Sequence, residues 1–120
     1  MGTSPLTYVV AFIQPFQLDA VVDSLRQVRG CPGLSVSEVC GVGCTGAHPP
    51  QAGERWEVDP FERKVRLEIF CRQADAVVIA ETIRRAAHTG NPGDGKIFVG
   101  PVTLAQRIRT GEWGEAALRP

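Results

Sequence analysis

The sequence predicts an α+β fold in which four strands and two helices follow one another in the order βαββαβ. Three observations indicate this order. Apolar, β-branched runs typical of strands occur at four places along the 120 residues. Two other stretches carry apolar residues at the three- and four-residue spacing of an amphipathic helix. Glycine, proline and alanine collect between these segments, above all in residues 44–60.

The first half of the chain supplies a strand, a helix and a second strand. Leu6 to Ile13 is an apolar, β-branched run, and Asp19 stands in the first turn of the following helix. Gly30-Cys31-Pro32-Gly33 ends that helix. The second strand then runs from Leu34 into the glycine-containing residues 41–43. The inward positions of the helix are Leu18, Val21, Val22, Leu25 and Val28.

The second half repeats the pattern after a long loop. Residues 44–60 have loop composition, and so long a loop in a small domain is usually functional or disordered. Lys64 to Cys71 alternates charged and apolar residues, Asp75 to His88 has helical spacing, and Ile97 to Val102 is the last strand. The resulting order is that of a ferredoxin-like fold, with one antiparallel sheet and two helices on a single face.

Composition and charge exclude several function classes. Thirteen basic residues balance thirteen acidic ones, so no overall field draws the chain to nucleic acid or to an anionic membrane. No apolar run approaches the length of a membrane span, and the N-terminus lacks a signal-type apolar core. We expect one cytoplasmic domain over residues 1–120 that gains stability by oligomerising. Since no motif places a nucleophile beside a base, we expect no enzyme.

The most informative stretch joins the second helix to the last strand. Gly93-Asp94-Gly95-Lys96 predicts a tight turn whose backbone N–H groups can converge, followed by a lysine charge. Further along, Arg107 and Arg109 would point the same way from an extended backbone, which suits phosphate oxygens. Taken alone, such a turn is more often an ordinary surface connection between a helix and a strand.

In combination, these motifs resemble the PII signal-transduction family of small trimeric nucleotide sensors. Ile13-Gln14-Pro15-Phe16-Gln17-Leu18 is similar to the family's first strand and turn, and Ser35 to Gly43 is similar to its second strand. Thr89 to Val102 fits the family's C-terminal signature without a gap. Arg107 to Glu112 follows at the spacing that the family uses. The resemblance covers nearly the whole chain and implies a homotrimer with a C-terminal arm at residues 103–120.

The resemblance implies an adenine nucleotide, ADP, AMP or ATP, in each cleft between neighbouring subunits. The glycine turn would hold the phosphates, with Arg107 and Arg109 of the adjoining subunit closing over them. Phe12 would lie near the adenine or ribose, and Phe70 would either stack on the adenine or pack in the core. The implied nucleotide-binding residues are Ser35, Gly41, Gly43, Glu68, Phe70, Gly93, Asp94, Gly95, Lys96, Arg107 and Arg109.

Departures from the family pattern lie in the loop. Glu57 stands where the family's modified tyrosine would lie, so control by uridylylation is not expected. Thr45 replaces the glutamine that helps to hold Mg²⁺ and 2-oxoglutarate, and Cys44 replaces a common nucleotide-contacting arginine. Lys64 matches the lysine that meets the small acid. The resemblance therefore leaves a small-anion site at Lys64 and Thr45 for a smaller occupant such as bicarbonate, as in PII-like branches that serve inorganic-carbon handling, including carboxysome-associated ones.

The expected role is a non-catalytic sensor without a prosthetic group. Its loop at 44–60 would act on a target protein, either a transporter or an enzyme, in inorganic-carbon or nitrogen assimilation. The cysteines favour no metal site by themselves, because they lack a CxxC pair and buried free thiols are their commonest use. The alternative of a different class is a trimeric metal- or redox-responsive module of the same fold that uses Cys40, Cys44 and His48.

Overall fold

The computed structural model of the protein describes residues 5–41, 52–53 and 62–120. Within these residues four strands form one antiparallel sheet in the order β2-β3-β1-β4. The strands are β1 (Leu6–Ile13), β2 (Ser35–Cys40), β3 (Arg63–Arg72) and β4 (Gly95–Val102). The helices are α1 (Leu18–Arg26) and α2 (Gln73–Ala87), and short 3₁₀ helices occupy Pro15–Gln17 and Gly114–Leu118. The predicted ferredoxin-like order βαββαβ is confirmed.

The core lies between the two helices and one face of the sheet. Successive side chains of a strand point to opposite faces, so every second residue of β1 and β3 faces the helices. The fully or almost fully buried residues are Val9, Ala11 and Ile13 of β1, Val65, Leu67, Ile69 and Cys71 of β3, Val21 and Leu25 of α1, and Ala76, Ile79 and Ile83 of α2. Burying an aliphatic side chain of this kind contributes about 1.5–3 kcal/mol.

The ends of the elements differ from the sequence predictions by one or two residues. Helix α1 ends at Arg26, before the predicted inward residue Val28, whose N–H donates to Leu25 O at 3.0 Å in a tightened last turn. Helix α2 begins at Gln73, whose N–H donates to Pro5 O at 2.9 Å. Strand β4 begins at Gly95 because it already pairs with Ile13 there. Tertiary pairing thus sets these ends.

Within residues 5–41, 52–53 and 62–120, both helices lie on the buried face of the sheet and none lies on the other face. The strand register places Ser35 opposite Glu68, and it places Phe12 opposite Lys96. These residues alternate with the buried ones and therefore lie on the uncovered face. Phe70 is 45% exposed on this face in the single subunit, so core packing, one of its two predicted roles, is not what the structure shows. Among the described residues, no helix is long and apolar enough to cross a membrane.

Candidate functional site

The connection from α2 to β4 is organised by the carboxylate of Asp94. This carboxylate accepts hydrogen bonds from the Thr89 N–H at 2.8 Å, from the Gly90 N–H at 3.0 Å and from the Thr89 hydroxyl. These bonds, with that of the Thr89 hydroxyl foremost, hold the pKa of Asp94 below its usual value. The structure thus gives the Asp94 side chain a role inside the turn.

Glycine is required at the entry to β4. Gly93 and Gly95 have φ angles of 94° and 112°, a region that residues with a Cβ rarely occupy. A Cβ at Gly95 would also lie 1.7 Å from the carbonyl oxygen of Phe12. The absence of a side chain therefore lets the turn lie directly against β1.

A second set of hydrogen bonds fixes the turn from outside. Gln14 Nε2 and Lys64 Nζ both donate to the carbonyl oxygen of Gly93, at 2.7 Å and 2.5 Å. Ile13 is opposite Val65 in the sheet, so the next residue, Gln14, arrives beside Lys64. The structure thus brings Lys64, predicted to meet a small anion, to the predicted phosphate turn.

Gln14 is a site residue that sequence reasoning missed. Its amide reaches a carbonyl 79 positions further along the chain, so no local pattern marks it. The available signal was its place immediately after β1, in register with Lys64 at the start of β3. A polar side chain at such a strand end lies at the same edge of the sheet as the glycine turn.

A cavity of about 290 Å³ lies beside the turn, at the edge strand β4. Phe12, His88, Gly95 and Lys96 are among the residues that line it. The ring of Phe12 also packs edge-on against Phe98, with centroids 6.4 Å apart. This volume is at the lower end for a small-molecule site, since such sites usually enclose roughly 300–1,000 Å³.

The residues predicted to lie near the adenine share the uncovered face with Lys96. Ser35 and Glu68 are direct partners across β2 and β3, and Glu68 pairs with Arg66 at 2.5 Å. Gly41 extends the β2–β3 pairing by one step, because its N–H donates to Glu62 O at 2.9 Å. Gly43, Cys44, Thr45, His48 and Glu57 lie outside the described residues, and so does the loop 44–60 apart from residues 52 and 53.

The two arginines of the C-terminal arm do not share an extended backbone, which corrects the sequence prediction. The N–H of Gly111 donates to Arg107 O at 2.8 Å, and the N–H of Arg107 donates to Glu112 O at 2.8 Å. These bonds close a turn at residues 107–111, in which Gly111 has a φ of 77°. The turn separates the arginines: Arg109 is exposed, whereas the Arg107 side chain is only 17% exposed.

Arg107 is held by the chain segment that follows it. Its Nη2 donates to the carbonyl oxygens of Ala116 and Arg119, at 2.6 Å and 2.8 Å. Its Nη1 donates to Glu112 Oε1 at 3.1 Å. The Nε is buried without a partner in the described part of the chain. Arg107 therefore points into its own arm in this subunit.

The cysteines of the described residues do not form a reactive cluster. Cys40 is exposed, Cys31 is half-buried and Cys71 is buried, and all three are free. Burial raises the pKa of the Cys31 and Cys71 thiols, which makes them poor nucleophiles at neutral pH. No group of three or more histidine, cysteine, aspartate or glutamate side chains in residues 5–41, 52–53 and 62–120 could hold a metal ion.

Comparison with known proteins decides the family. Residues 6–112 match the model of the family described as nitrogen regulatory protein P-II. The chain belongs to the P-II family. A P-II protein of Azospirillum brasilense is 42% identical over 111 residues, which cover 92% of this chain and 97% of the relative. One from Klebsiella oxytoca is 43% identical over 109 residues, covering 90% and 96%.

A solved structure agrees with this assignment. The crystal structure of Arabidopsis thaliana PII bound to citrate has a TM-score of 0.76 and 33% identity, covering 95% of this chain and 92% of that one. This chain is thus a PII nitrogen regulatory signalling protein, and PII proteins are non-catalytic and bind small effector ligands such as adenine nucleotides. The alternative of a metal- or redox-responsive module at Cys40, Cys44 and His48 is not supported.

Proposed function

We propose that this PII protein binds an adenine nucleotide, ADP, AMP or ATP, in clefts between the subunits of a homotrimer. The observation that carries the proposal is the preformed turn at Gly93–Lys96. Its glycines already have left-handed backbone angles. Gln14 and Lys64 donate to its Gly93 carbonyl oxygen, and its Asp94 carboxylate accepts from the Thr89 and Gly90 N–H groups. Such a turn can offer backbone N–H groups to phosphate oxygens with little ordering cost.

Positive charge for the phosphates would come from two sources. Lys96 is exposed at the start of β4, beside the turn. Arg109, exposed on the arm of the adjoining subunit, would approach from the other side. Arg107 of the same arm would also contact the phosphates once its hydrogen bonds to Ala116 O and Arg119 O are broken. Guanidinium and ammonium groups together form charge-assisted hydrogen bonds with phosphate, which are about twice as strong as neutral ones.

The rest of the nucleotide would lie along the uncovered face. The half-exposed ring of Phe70 suits stacking on adenine, and Ser35 and Glu68 offer polar groups for its edge or for the ribose. Asp94 would contribute by shaping the turn. The proposed nucleotide-binding residues are Ser35, Gly41, Gly43, Glu68, Phe70, Gly93, Asp94, Gly95, Lys96, Arg107 and Arg109.

The trimer is supported by the exposed apolar groups of the sheet. Phe70 and Phe98 are 45% and 52% exposed on the face of the sheet opposite helices α1 and α2. Contiguous exposed apolar surface usually marks a protein interface. Association through this face would bring the arm of one subunit towards the phosphate turn of another, so each site would need two subunits.

A small anion would bind beside the phosphates at Lys64, with Thr45 as a further contact. Lys64 already reaches the phosphate turn through Gly93 O, so an anion at its ammonium would lie close to a bound nucleotide. The Arabidopsis relative bound to citrate supports a small carboxylic acid as a ligand class for this fold. We propose bicarbonate as the occupant, and control of a transporter or enzyme of inorganic-carbon or nitrogen assimilation through the loop 44–60 as the output.

The proposal is tested by isothermal calorimetry with ADP on the full chain and on Lys96→Ala. The loss of one charge-assisted contact, worth about 1.5–3 kcal/mol, should weaken ADP binding roughly tenfold or more. Arg26→Ala is the matched control, because it removes one positive charge from the exposed last turn of α1. Equal affinities of Lys96→Ala and the control would remove the site assignment. Mass photometry of each variant checks the trimer.

A further inference from the structure

We propose that residues 114–120, called the tail below, compete with nucleotide phosphate for Arg107. Arg107 could then bind either the tail or the phosphates, so the arm could close fully over the phosphates only after the tail has detached from Arg107. The proposal rests on the nucleotide site proposed above and adds its regulation: the tail is an autoinhibitory element of that site.

The hydrogen bonds of Arg107 carry this proposal. A guanidinium has five N–H groups. Both N–H groups of Nη2 are directed to tail carbonyls, those of Ala116 and Arg119, and one N–H of Nη1 is directed to the Glu112 carboxylate. The Nε is buried. No neighbouring pair of N–H groups is left for the two-pronged contact that phosphate favours, so phosphate must displace the tail.

The tail in turn depends on Arg107. It begins with the 3₁₀ helix Gly114–Leu118, and the Arg119 N–H closes the end of this helix on Ala116 O at 3.3 Å. Arg107 adds a second, charged donor to Ala116 O and also donates to Arg119 O. The other polar contacts of the tail with the rest of the described chain are the Gly114 N–H with Ala105 O at 2.9 Å and a long ion pair of Glu115 with Arg72 at 3.8 Å. Losing Arg107 should therefore release the end of the tail.

Arg109 is a natural control two positions away. It is exposed on the turn and makes no hydrogen bond or ion pair with the described residues. The tail should therefore affect phosphate binding by Arg107 and leave binding by Arg109 unchanged. This difference makes the proposal testable with variants of two residues of the same type.

The first test compares ADP affinity of the full chain with that of a chain ending at Trp113. Removing the competing carbonyls should tighten ADP binding about tenfold, the equivalent of one charge-assisted hydrogen bond. Glu112→Gln, which weakens the hold on Arg107 without shortening the chain, should tighten binding by a smaller factor. Circular dichroism and the oligomeric state of each variant report folding.

A double-mutant cycle identifies the residue through which the tail acts. Removing the tail should change ADP affinity in the Arg109→Ala background by the same factor as in the original chain. It should have no effect in the Arg107→Ala background. An equal effect in both backgrounds, or no effect of the truncation in the original chain, would overturn the proposal while leaving the nucleotide site in place.

Linkage supplies a second readout that needs no mutation. If the tail and ADP compete, each must weaken the binding of the other by the same factor: ADP must weaken the binding of the tail to Arg107 as much as the tail weakens the binding of ADP. Amide hydrogen exchange in residues 114–120 should therefore become faster when ADP is added. Unchanged or slower exchange in the ADP complex contradicts the proposal. A full chain that binds no adenine nucleotide at all would overturn the proposed function itself, and the tail proposal with it.

Discussion

The ammonium of Lys64 lies 2.5 Å from the carbonyl oxygen of Gly93, although 29 positions separate the two residues in the chain. Gln14 donates to the same oxygen at 2.7 Å. The root of the long loop and the glycine turn are therefore parts of one hydrogen-bonded unit. A change of charge at Lys64 can therefore affect the turn directly, through the carbonyl oxygen of Gly93.

Two donors on one oxygen predict non-additive effects on ADP affinity. Gln14→Ala alone should weaken binding only slightly, since Lys64 still holds Gly93, and a typical hydrogen bond contributes about 0.5–1.5 kcal/mol. Gln14→Ala with Lys64→Ala should weaken binding by more than the sum of the single changes, because the turn then loses both external contacts. Calorimetry of the four proteins measures this coupling. Strict additivity would show that the two donors act independently.

Substitution at the entry to β4 should be among the most damaging in the chain. Gly95→Ala places a Cβ against Phe12 O and forces alanine to a φ of 112°, which should lower the free energy of unfolding by about 3 kcal/mol or more. Gly33→Ala is the matched control, because a Cβ there meets nothing within 4 Å. Its effect should stay within about 1 kcal/mol. Urea unfolding of both variants measures the difference, and similar losses would refute the steric argument.

The Asp94 hydrogen bonds predict a pH-dependent contribution to stability. Its pKa is lower in the folded chain than in the unfolded one, so the stabilisation is fully present above the unfolded value of about 3.9 and is lost as pH falls through the folded value. Asp94→Asn should therefore be less stable than the original chain at pH 7. The difference in stability between Asp94→Asn and the original chain should become smaller when the pH falls below about 4. Thermal unfolding at both pH values tests this; a gap that stays constant would assign the loss to geometry alone.

The preference among ADP, AMP and ATP should depend on whether the Asp94 carboxylate can hold Mg²⁺. The Asp94 carboxylate accepts three hydrogen bonds within its own turn, which leaves it poorly placed to hold Mg²⁺ on a triphosphate. Thr45 lacks the side-chain amide of the glutamine that helps to hold Mg²⁺ and 2-oxoglutarate in the family. ADP or AMP should therefore bind at least as well as ATP, with little help from Mg²⁺ and 2-oxoglutarate. A strong ATP preference that grows with both additions would contradict this expectation.

Bicarbonate should tighten nucleotide binding, and Lys64 should be required for the effect. An anion at Lys64 repels the phosphates, so the gain should be larger for AMP or ADP than for ATP. The measurement is nucleotide affinity with and without bicarbonate at fixed pH and ionic strength, with Lys64→Ala as the comparison. Because linkage is reciprocal, each ligand should change the affinity of the other by one common factor. No change in the original chain would return the small-anion site to an open question.

The fold was predictable from local pattern, whereas parts of the site were not. The bounds of β1 match the prediction because Leu6 to Ile13 is an unbroken run of strand-forming residues next to a proline-containing turn. The glycine turn was found because glycine and aspartate mark such turns locally. Gln14 and the orientation of Arg107 were not found, because contacts with residues distant in sequence or in the following tail decide them.

The hydrogen bond between the Gly41 N–H and Glu62 O has a consequence for how this protein can diversify. It joins the chain on either side of residues 42–61, so the sheet of the described residues closes between Gly41 and Glu62. Closing a loop costs only about 0.6 kcal/mol more for each doubling of its length. Residues 46–61 can therefore be exchanged or extended as a unit, and a descendant of this chain could acquire a new target while Gly43, Thr45 and the rest of the proposed ligand site stay unchanged.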